Sequence, residues 1–92
     1  MALYLISYDI SEKDEFEYGP LWAKLGEMGA ARILYSEWLA IGDRVLHIYN
    51  PLAALVQAKD RLLVQEIGTT AAWDKLMISD DDFRAWLAHA RF

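Results

Sequence analysis

The chain has 92 residues, of which 55% are hydrophobic, and a net charge of −5 from 14 acidic against nine basic side chains. This length and apolar content predict one folded domain over residues 1–92 and exclude intrinsic disorder. The negative charge argues against broad electrostatic binding of DNA or RNA, because basic surfaces supply most of that affinity.

The composition also bears on oligomeric state and compartment. Four tryptophans and five tyrosines give so small a body more apolar surface than one core needs, which predicts a homodimer. The absence of cysteine excludes disulfides and thiolate zinc sites and is consistent with a cytoplasmic protein. No apolar stretch approaches the roughly 18 residues of a membrane-spanning helix, so we expect neither a signal peptide nor a membrane span.

The first 29 residues predict a strand, a loop and a helix. Residues 2–10 alternate with both sides largely apolar, which predicts a central strand covered on both faces. Residues 11–18 carry four acids and one lysine and predict an exposed loop. Gly19-Pro20 opens a helix, because proline at the first helical position loses no hydrogen bond, and Gly29 ends it as a left-handed cap. The predicted buried stripe of this helix is Leu21, Trp22, Leu25 and Met28.

The middle of the chain leaves two interpretations open. Residues 30–41 are rich in aliphatic and aromatic side chains and predict one long or bent strand. In the first interpretation Asp43 then caps a helix that Pro51 kinks, at a cost of about 3 kcal/mol. In the second, residues 44–49 form a strand paired with the previous one, and Asn50-Pro51 caps a short helix. Local signals favour the second interpretation.

The last third predicts a strand followed by helical segments. Residues 62–67 form a strand that stops at Gly68, and residues 70–77 indicate one or two helical turns. Ser79 and the three acids after it begin a C-terminal helix over 79–92, because serine caps a helix and acids favour its positive end. The resulting order predicts an α+β fold, a ferredoxin-like βαββαβ split sandwich with a C-terminal helical extension.

Asp9 is the first candidate functional residue, since it ends the apolar run of the first strand. Its hard oxygen ligands suit Mg²⁺ or Mn²⁺, which typically use one or two protein carboxylates together with water and phosphate. The same residue equally fits a turn-forming role, in which its carboxylate accepts hydrogen bonds from backbone amides near Ser11.

Three segments carry a resemblance to a known group of proteins. Residues 5–10, 29–38 and 60–67 resemble small bacterial SinR-family proteins. These in turn resemble the CRISPR-associated Cas-two proteins and the VapD-type toxin ribonucleases. The similarity covers residues 2–78 and implies a cytoplasmic homodimer with a role in CRISPR or toxin–antitoxin systems.

The motifs of that group assign roles to single residues. The Tyr8-Asp9 pair matches the end of its first strand, and Arg32 matches an arginine early in the second strand. The resemblance implies that Asp9 from two subunits flanks one Mg²⁺ or Mn²⁺ and that Arg32 contacts phosphate. Tyr8, Ser36 and Trp38 would line this site, where Trp38 replaces a phenylalanine. The implied activity is that of a metal-dependent endonuclease acting on RNA, with DNA as the other substrate class.

Other features favour a different role for the same fold. Basic residues are common after the aspartate in the Cas-two proteins, whereas here the loop carries four acids and only Lys13. Arg32 could also pair with Glu37 or Glu66 across the sheet instead of binding phosphate. The alternative is a non-catalytic dimeric scaffold or protein-interaction module with a protein partner.

Overall fold

A computed structural model describes residues 1–11 and 16–91, which form an α+β fold with one antiparallel sheet of four strands and three helices. This confirms the α+β class. The sheet order is β2-β3-β1-β4. The elements are β1 (Ala2–Asp9), α1 (Tyr18–Glu27), β2 (Ala31–Leu34), β3 (Glu37–Gly42), α2 (Val45–Ala53), β4 (Arg61–Glu66) and α3 (Asp80–Leu87).

Strand β1 lies at the centre of the sheet, as its apolar pattern predicts, and pairs antiparallel with β3 on one side and β4 on the other. Successive side chains of a strand point to opposite faces of the sheet. The even-numbered residues of β1 face helices α1 and α2, and we call this side the helix face. The odd-numbered residues lie on the opposite side, the outer face, which α3 covers in part.

Helix α1 packs on the helix face through its predicted stripe. Leu21 and Leu25 are fully buried, and Gly29 follows the helix with φ of 71°, which confirms the predicted left-handed cap. The helix begins at Tyr18, slightly before the predicted start. The predicted acidic loop before it falls largely on residues 12–15, which lie outside the described residues.

The predicted single strand over residues 30–41 is wrong, because this segment is a hairpin of β2 and β3. Its two-residue turn, Tyr35-Ser36, contains neither glycine nor the asparagine–glycine pair that usually marks such turns. A side chain stabilises the turn instead, since the guanidinium of Arg32 donates to the carbonyl of Tyr35 at 3.0 and 2.6 Å.

The favoured strand over residues 44–49 is also wrong, because helix α2 occupies this region and contains Pro51. The helix buries Ile48 and Leu52, four residues apart on one face, against the sheet. A Cβ on Gly42 would lie 3.2 Å from the Ile48 side chain, so the glycine permits the close approach of helix and strand. Burial of the two aliphatic side chains offsets the cost of the proline.

Helix α3 and the segment before it cover one end of the outer face. Ser79 caps α3 as predicted, and its hydroxyl accepts from the amide of Asp82 at 3.1 Å. Phe83 is buried with Leu3 and Leu39 of the sheet. The helical turns predicted at 70–77 are absent from this described segment, which runs in irregular conformation and buries part of Trp73 against Phe83.

None of the three helices in the described ranges combines the length and apolar character that crossing a membrane requires.

Candidate functional site

Asp9 lies at the exposed end of β1, on the outer face, opposite Arg61 in the antiparallel register with β4. One guanidinium nitrogen of Arg61 lies 3.6 Å from Oδ2 of Asp9, and both side chains are largely in solvent. The amide of Ser11, the expected partner in a turn, donates to Asp60 at 3.0 Å instead. The interaction of Asp9 within the described residues is therefore a cross-strand ion pair.

The surroundings of Asp9 form a patch that α3 does not cover. We define the uncovered patch as Ser7, Asp9, Arg61 and Leu63, which also line an open depression of about 210 Å³. Leu63 is 51% exposed even though it lies in a strand. The patch thus combines an exposed aliphatic side chain with one acid and one base.

Asp9 supplies the right kind of oxygen for Mg²⁺ or Mn²⁺, but the described residues of one protomer place no group of acidic ligands beside it. Within residues 1–11 and 16–91, no three His, Asp or Glu side chains lie together so that they could hold a metal ion. The nearest charged partner of Asp9 is a guanidinium, which repels a cation. The described residues of a single protomer therefore do not by themselves make a metal site, and a second Asp9 from another subunit would supply a further carboxylate.

Tyr8 and Trp38 lie on the helix face, together with a tryptophan from α1. The hydroxyl of Tyr8 accepts from the indole nitrogens of Trp22 at 3.2 Å and Trp38 at 3.3 Å. Tyr8 is buried, whereas Trp22 is 39% exposed. The shared hydroxyl fixes the orientation of both indole rings at this end of the sheet.

Arg32 extends from β2 into the same group of aromatic side chains. Its guanidinium carbon lies 5.0, 5.7 and 5.9 Å from the ring centroids of Trp22, Tyr35 and Trp38. Such distances allow cation–π attraction. In the described part of the chain Arg32 makes no ion pair, and Glu66, one of its expected partners, pairs with Arg91 at 2.7 Å.

The structure therefore divides the predicted site residues between the two faces of the sheet. Asp9 lies on the outer face, whereas Tyr8, Arg32 and Trp38 lie on the helix face. Ser36 is in the hairpin turn, where its carbonyl accepts from the amide of Tyr8 at 3.1 Å. Within one protomer, the proposed metal ligand and the proposed phosphate ligand do not converge.

Sequence reasoning missed two residues, Arg61 and Trp22. Arg61 begins the strand that pairs antiparallel with β1. Pairing the end of the first predicted strand with the start of the last one would have placed Arg61 opposite Asp9. Trp22 was expected to be buried in the stripe of α1 but is partly exposed beside Arg32. Its position at the edge of that stripe is what leaves one ring face near solvent.

Among the described residues, the carboxyl groups with a shifted pKa belong neither to the uncovered patch nor to the aromatic group around Arg32. Hydrogen bonds from the amides of Gln57 and Ser11 lower the pKa of Asp60. The guanidinium of Arg91 lowers the pKa of Glu66 through a two-point hydrogen bond. Both carboxylates make structural contacts, so neither points to an acid or base for catalysis.

No family model matches this chain, and no solved structure matches it either.

Proposed function

We propose that this chain is a ferredoxin-like homodimer of the Cas-two, VapD and SinR type that acts as a non-catalytic scaffold or protein-interaction module. The observation that carries the proposal is the uncovered patch, in which the exposed Leu63 lies beside the oppositely charged Asp9 and Arg61. Two further observations support it: the order of the elements and the separation of Asp9 from Arg32.

The order of the elements supports the ferredoxin-like assignment. The first six elements follow a βαββαβ sequence, β1 lies between β3 and β4, and every strand pair is antiparallel. Helices α1 and α2 both contribute to the core on the helix face. This combination is typical of the split βαβ motif.

The uncovered patch supports a dimer of identical subunits. A two-fold interface brings the same surface of both subunits together, so the surface must complement itself. The patch carries an exposed aliphatic side chain, Leu63, beside the oppositely charged Asp9 and Arg61. In a symmetric pair, each aspartate can face the partner's arginine while the leucines bury each other.

Subunit association can be tested at Leu63. We expect Leu63→Glu to shift the protein toward monomer in multi-angle light scattering and sedimentation, because the interface would bury two unpaired carboxylates. Leu46→Glu is the matched control, since Leu46 on α2 is 56% exposed and lies away from the patch. A wild-type monomer, or equal behaviour of the two variants, would contradict the proposed interface.

The second candidate is the metal-dependent endonuclease acting on RNA, and the exposure of the Asp9 carboxylate at the end of β1 favours it, because a metal and a substrate can both reach it. A bound Mg²⁺ or Mn²⁺ would supply an activated water and polarise a phosphoryl oxygen. Asp9 from both subunits would be needed to hold it. Arg61, rather than Arg32, then lies on the same face as Asp9 and can contact the substrate phosphate.

A cleavage assay separates the two candidates. Wild type, Asp9→Asn and Asp81→Asn are compared on labelled RNA and DNA with Mg²⁺ or Mn²⁺; Asp81 is a matched exposed aspartate that also pairs with an arginine. The scaffold predicts no cleavage by any of the three proteins. Cleavage that Asp9→Asn abolishes and Asp81→Asn preserves would establish the nuclease instead.

A further inference from the structure

We propose that Trp22, Arg32, Tyr35 and Trp38, which we call the arginine–aromatic cluster, bind a nucleotide whose base stacks on the rings and whose phosphate contacts Arg32. The cluster is on the helix face, and the uncovered patch is on the outer face. The inference therefore does not depend on the proposed dimer or on metal binding at Asp9.

The guanidinium of Arg32 retains capacity to bind an anion. It has five N–H donors, and the described hydrogen bonds use its Nε and Nη2 on the single carbonyl of Tyr35. Nη1 makes no hydrogen bond in the described part of the chain. The guanidinium lacks a carboxylate partner there, although acids outnumber bases in the protein. Phosphate and carboxylate groups both match the planar geometry of an arginine.

The rings around Arg32 offer stacking surfaces held in place. Tyr35 is 81% exposed, so most of its ring is accessible to a base, and Trp22 is 39% exposed beside it. Trp22 also stacks on Tyr18, with ring centroids 5.0 Å apart. Because Trp22 and Trp38 share the hydroxyl of Tyr8, a ligand would not have to order them on binding.

A second arginine–tryptophan pair in this protein provides a contrast. The guanidinium of Arg84 lies 5.5 Å from the ring of Trp73, but Asp81 pairs with that guanidinium at 3.3 Å. The indole nitrogen of Trp73 donates to Asp80. Acidic side chains thus neutralise the pair at α3, whereas the pair at the hairpin has a backbone carbonyl as its acceptor.

The properties of the cluster select the ligand class. One arginine without further cations does not hold inorganic phosphate alone, and the net charge of −5 opposes a long duplex. Aromatic rings beside a cation are the elements that bind single nucleotide units, through stacking and phosphate contact together. A free nucleoside monophosphate and one nucleotide of an RNA single strand share this chemistry.

Indole NMR signals test the inference directly. The protein has four tryptophans, two in the cluster and two near α3, so each titration has an internal control. We expect uridine or adenosine monophosphate to shift the signals of Trp22 and Trp38 while those of Trp73 and Trp86 stay in place. Adenosine and inorganic phosphate alone should each bind about tenfold more weakly than the monophosphate, because each offers one of the two contacts.

Single substitutions test which side chains of the cluster contact the nucleotide. Arg32→Gln and Tyr35→Ala should each weaken binding about tenfold, and the exposure of Tyr35 makes its replacement safe for folding. Arg84→Gln and Tyr49→Ala are matched controls from the other arginine–tryptophan pair and from α2, and they should bind as wild type. Leu63→Glu should also bind normally, which separates this inference from the proposed dimer.

A uridine octamer distinguishes a free nucleotide from a nucleotide within single-stranded RNA as the ligand. Tighter binding of the octamer than of the monophosphate points to RNA, and equal binding points to free nucleotide. The inference is overturned by the absence of binding at millimolar monophosphate, by equal shifts of all four indole signals, or by equal affinities of Arg32→Gln and Arg84→Gln.

Discussion

The two faces of the sheet use the same strands but differ in how they are covered. On the helix face, two helices bury Tyr4, Ile6 and Tyr8 of β1. On the outer face, Leu3 is buried under the C-terminal segment, whereas Ser7 and Asp9 continue along the same strand into an uncovered region. A single strand thus belongs to a complete core on one side and an incomplete core on the other.

Because of this difference, most of the residues that stabilise the fold lie on the helix face, and exposed charged residues lie at the end of the outer face. The helix face carries the larger of the two hydrophobic clusters, and the partly buried Arg32 lies on β2, the edge strand of the sheet. The outer face ends in charged and partly exposed side chains that contribute little to the fold. Substitutions on the two faces should therefore differ in how much they change the free energy of unfolding.

The largest difference in the free energy of unfolding is expected between alanine variants at two neighbouring residues of β1. Ile6→Ala on the helix face should lower the free energy of unfolding by about 4 kcal/mol, because it leaves a cavity in a fully buried site. Leu5→Ala on the half-buried outer face should cost about 1–2 kcal/mol. Urea denaturation measures both values. Equal losses would mean that the two faces are packed alike.

A loss of about 3 kcal/mol is expected for Phe83→Ala, because this buried ring anchors α3 on Leu3 and Leu39. The segment should detach while the helix face persists, so hydrogen exchange should quicken in α3 before it does in α1. Trp22→Ala is a control that removes an aromatic ring from the other face. Uniform loss of protection in both helices would show that the faces unfold as one unit.

The cap of α3 should matter less. Ser79→Ala removes the hydroxyl that accepts from the amide of Asp82 and should cost about 1 kcal/mol. Ser79→Asp should retain most of the stability, because a carboxylate can accept the same hydrogen bond. If the alanine variant were as stable as wild type in thermal unfolding, the cap would not contribute to holding the outer layer.

The smallest effect is expected at Glu66, and it depends on pH. The guanidinium of Arg91 lowers the pKa of this carboxyl in the folded protein, so the pair contributes stability above the unfolded pKa of about 4.3 and loses it as pH falls through the folded value. Glu66→Gln should thus be slightly less stable than wild type at pH 7, and the difference should vanish once the pH has fallen below the lowered pKa of the folded protein. A difference that persisted in acid would rule out the ion pair as its source.

The parts of the fold that the sequence predicts have strong local signals. The alternating β1, the glycine-ended α1, strand β4 and the serine-capped α3 each combine an apolar pattern with a clear boundary. The hairpin of β2 and β3 has no such boundary, since its turn depends on a side chain, Arg32, that reaches the Tyr35 carbonyl. Helix α2 was one of two interpretations, and local signals favoured the other one because they do not register the tertiary burial of Ile48 and Leu52, which outweighs the effect of Pro51.

The candidate site was less predictable than the fold, for a geometric reason. Neighbouring residues on a strand point to opposite faces, so Tyr8 and Asp9 cannot serve one site within a protomer even though they form one motif. Likewise Arg61 lies far from Asp9 in the sequence, and only the register of β1 with β4 brings them together. Motif spacing indicates which residues matter without indicating the face on which each one acts.

Gly42 on β3 and Ile48 on α2 pack so closely that the sizes of their side chains depend on each other. Its missing side chain leaves room for Ile48, whose Cδ1 would lie 3.2 Å from an added Cβ. The two positions share one fixed volume, so a methyl group gained at position 42 must be lost at position 48 or accommodated by displacing α2. Among descendants of this sequence, we expect these two positions to change together, with Gly–Ile and Ala–Val as compatible combinations.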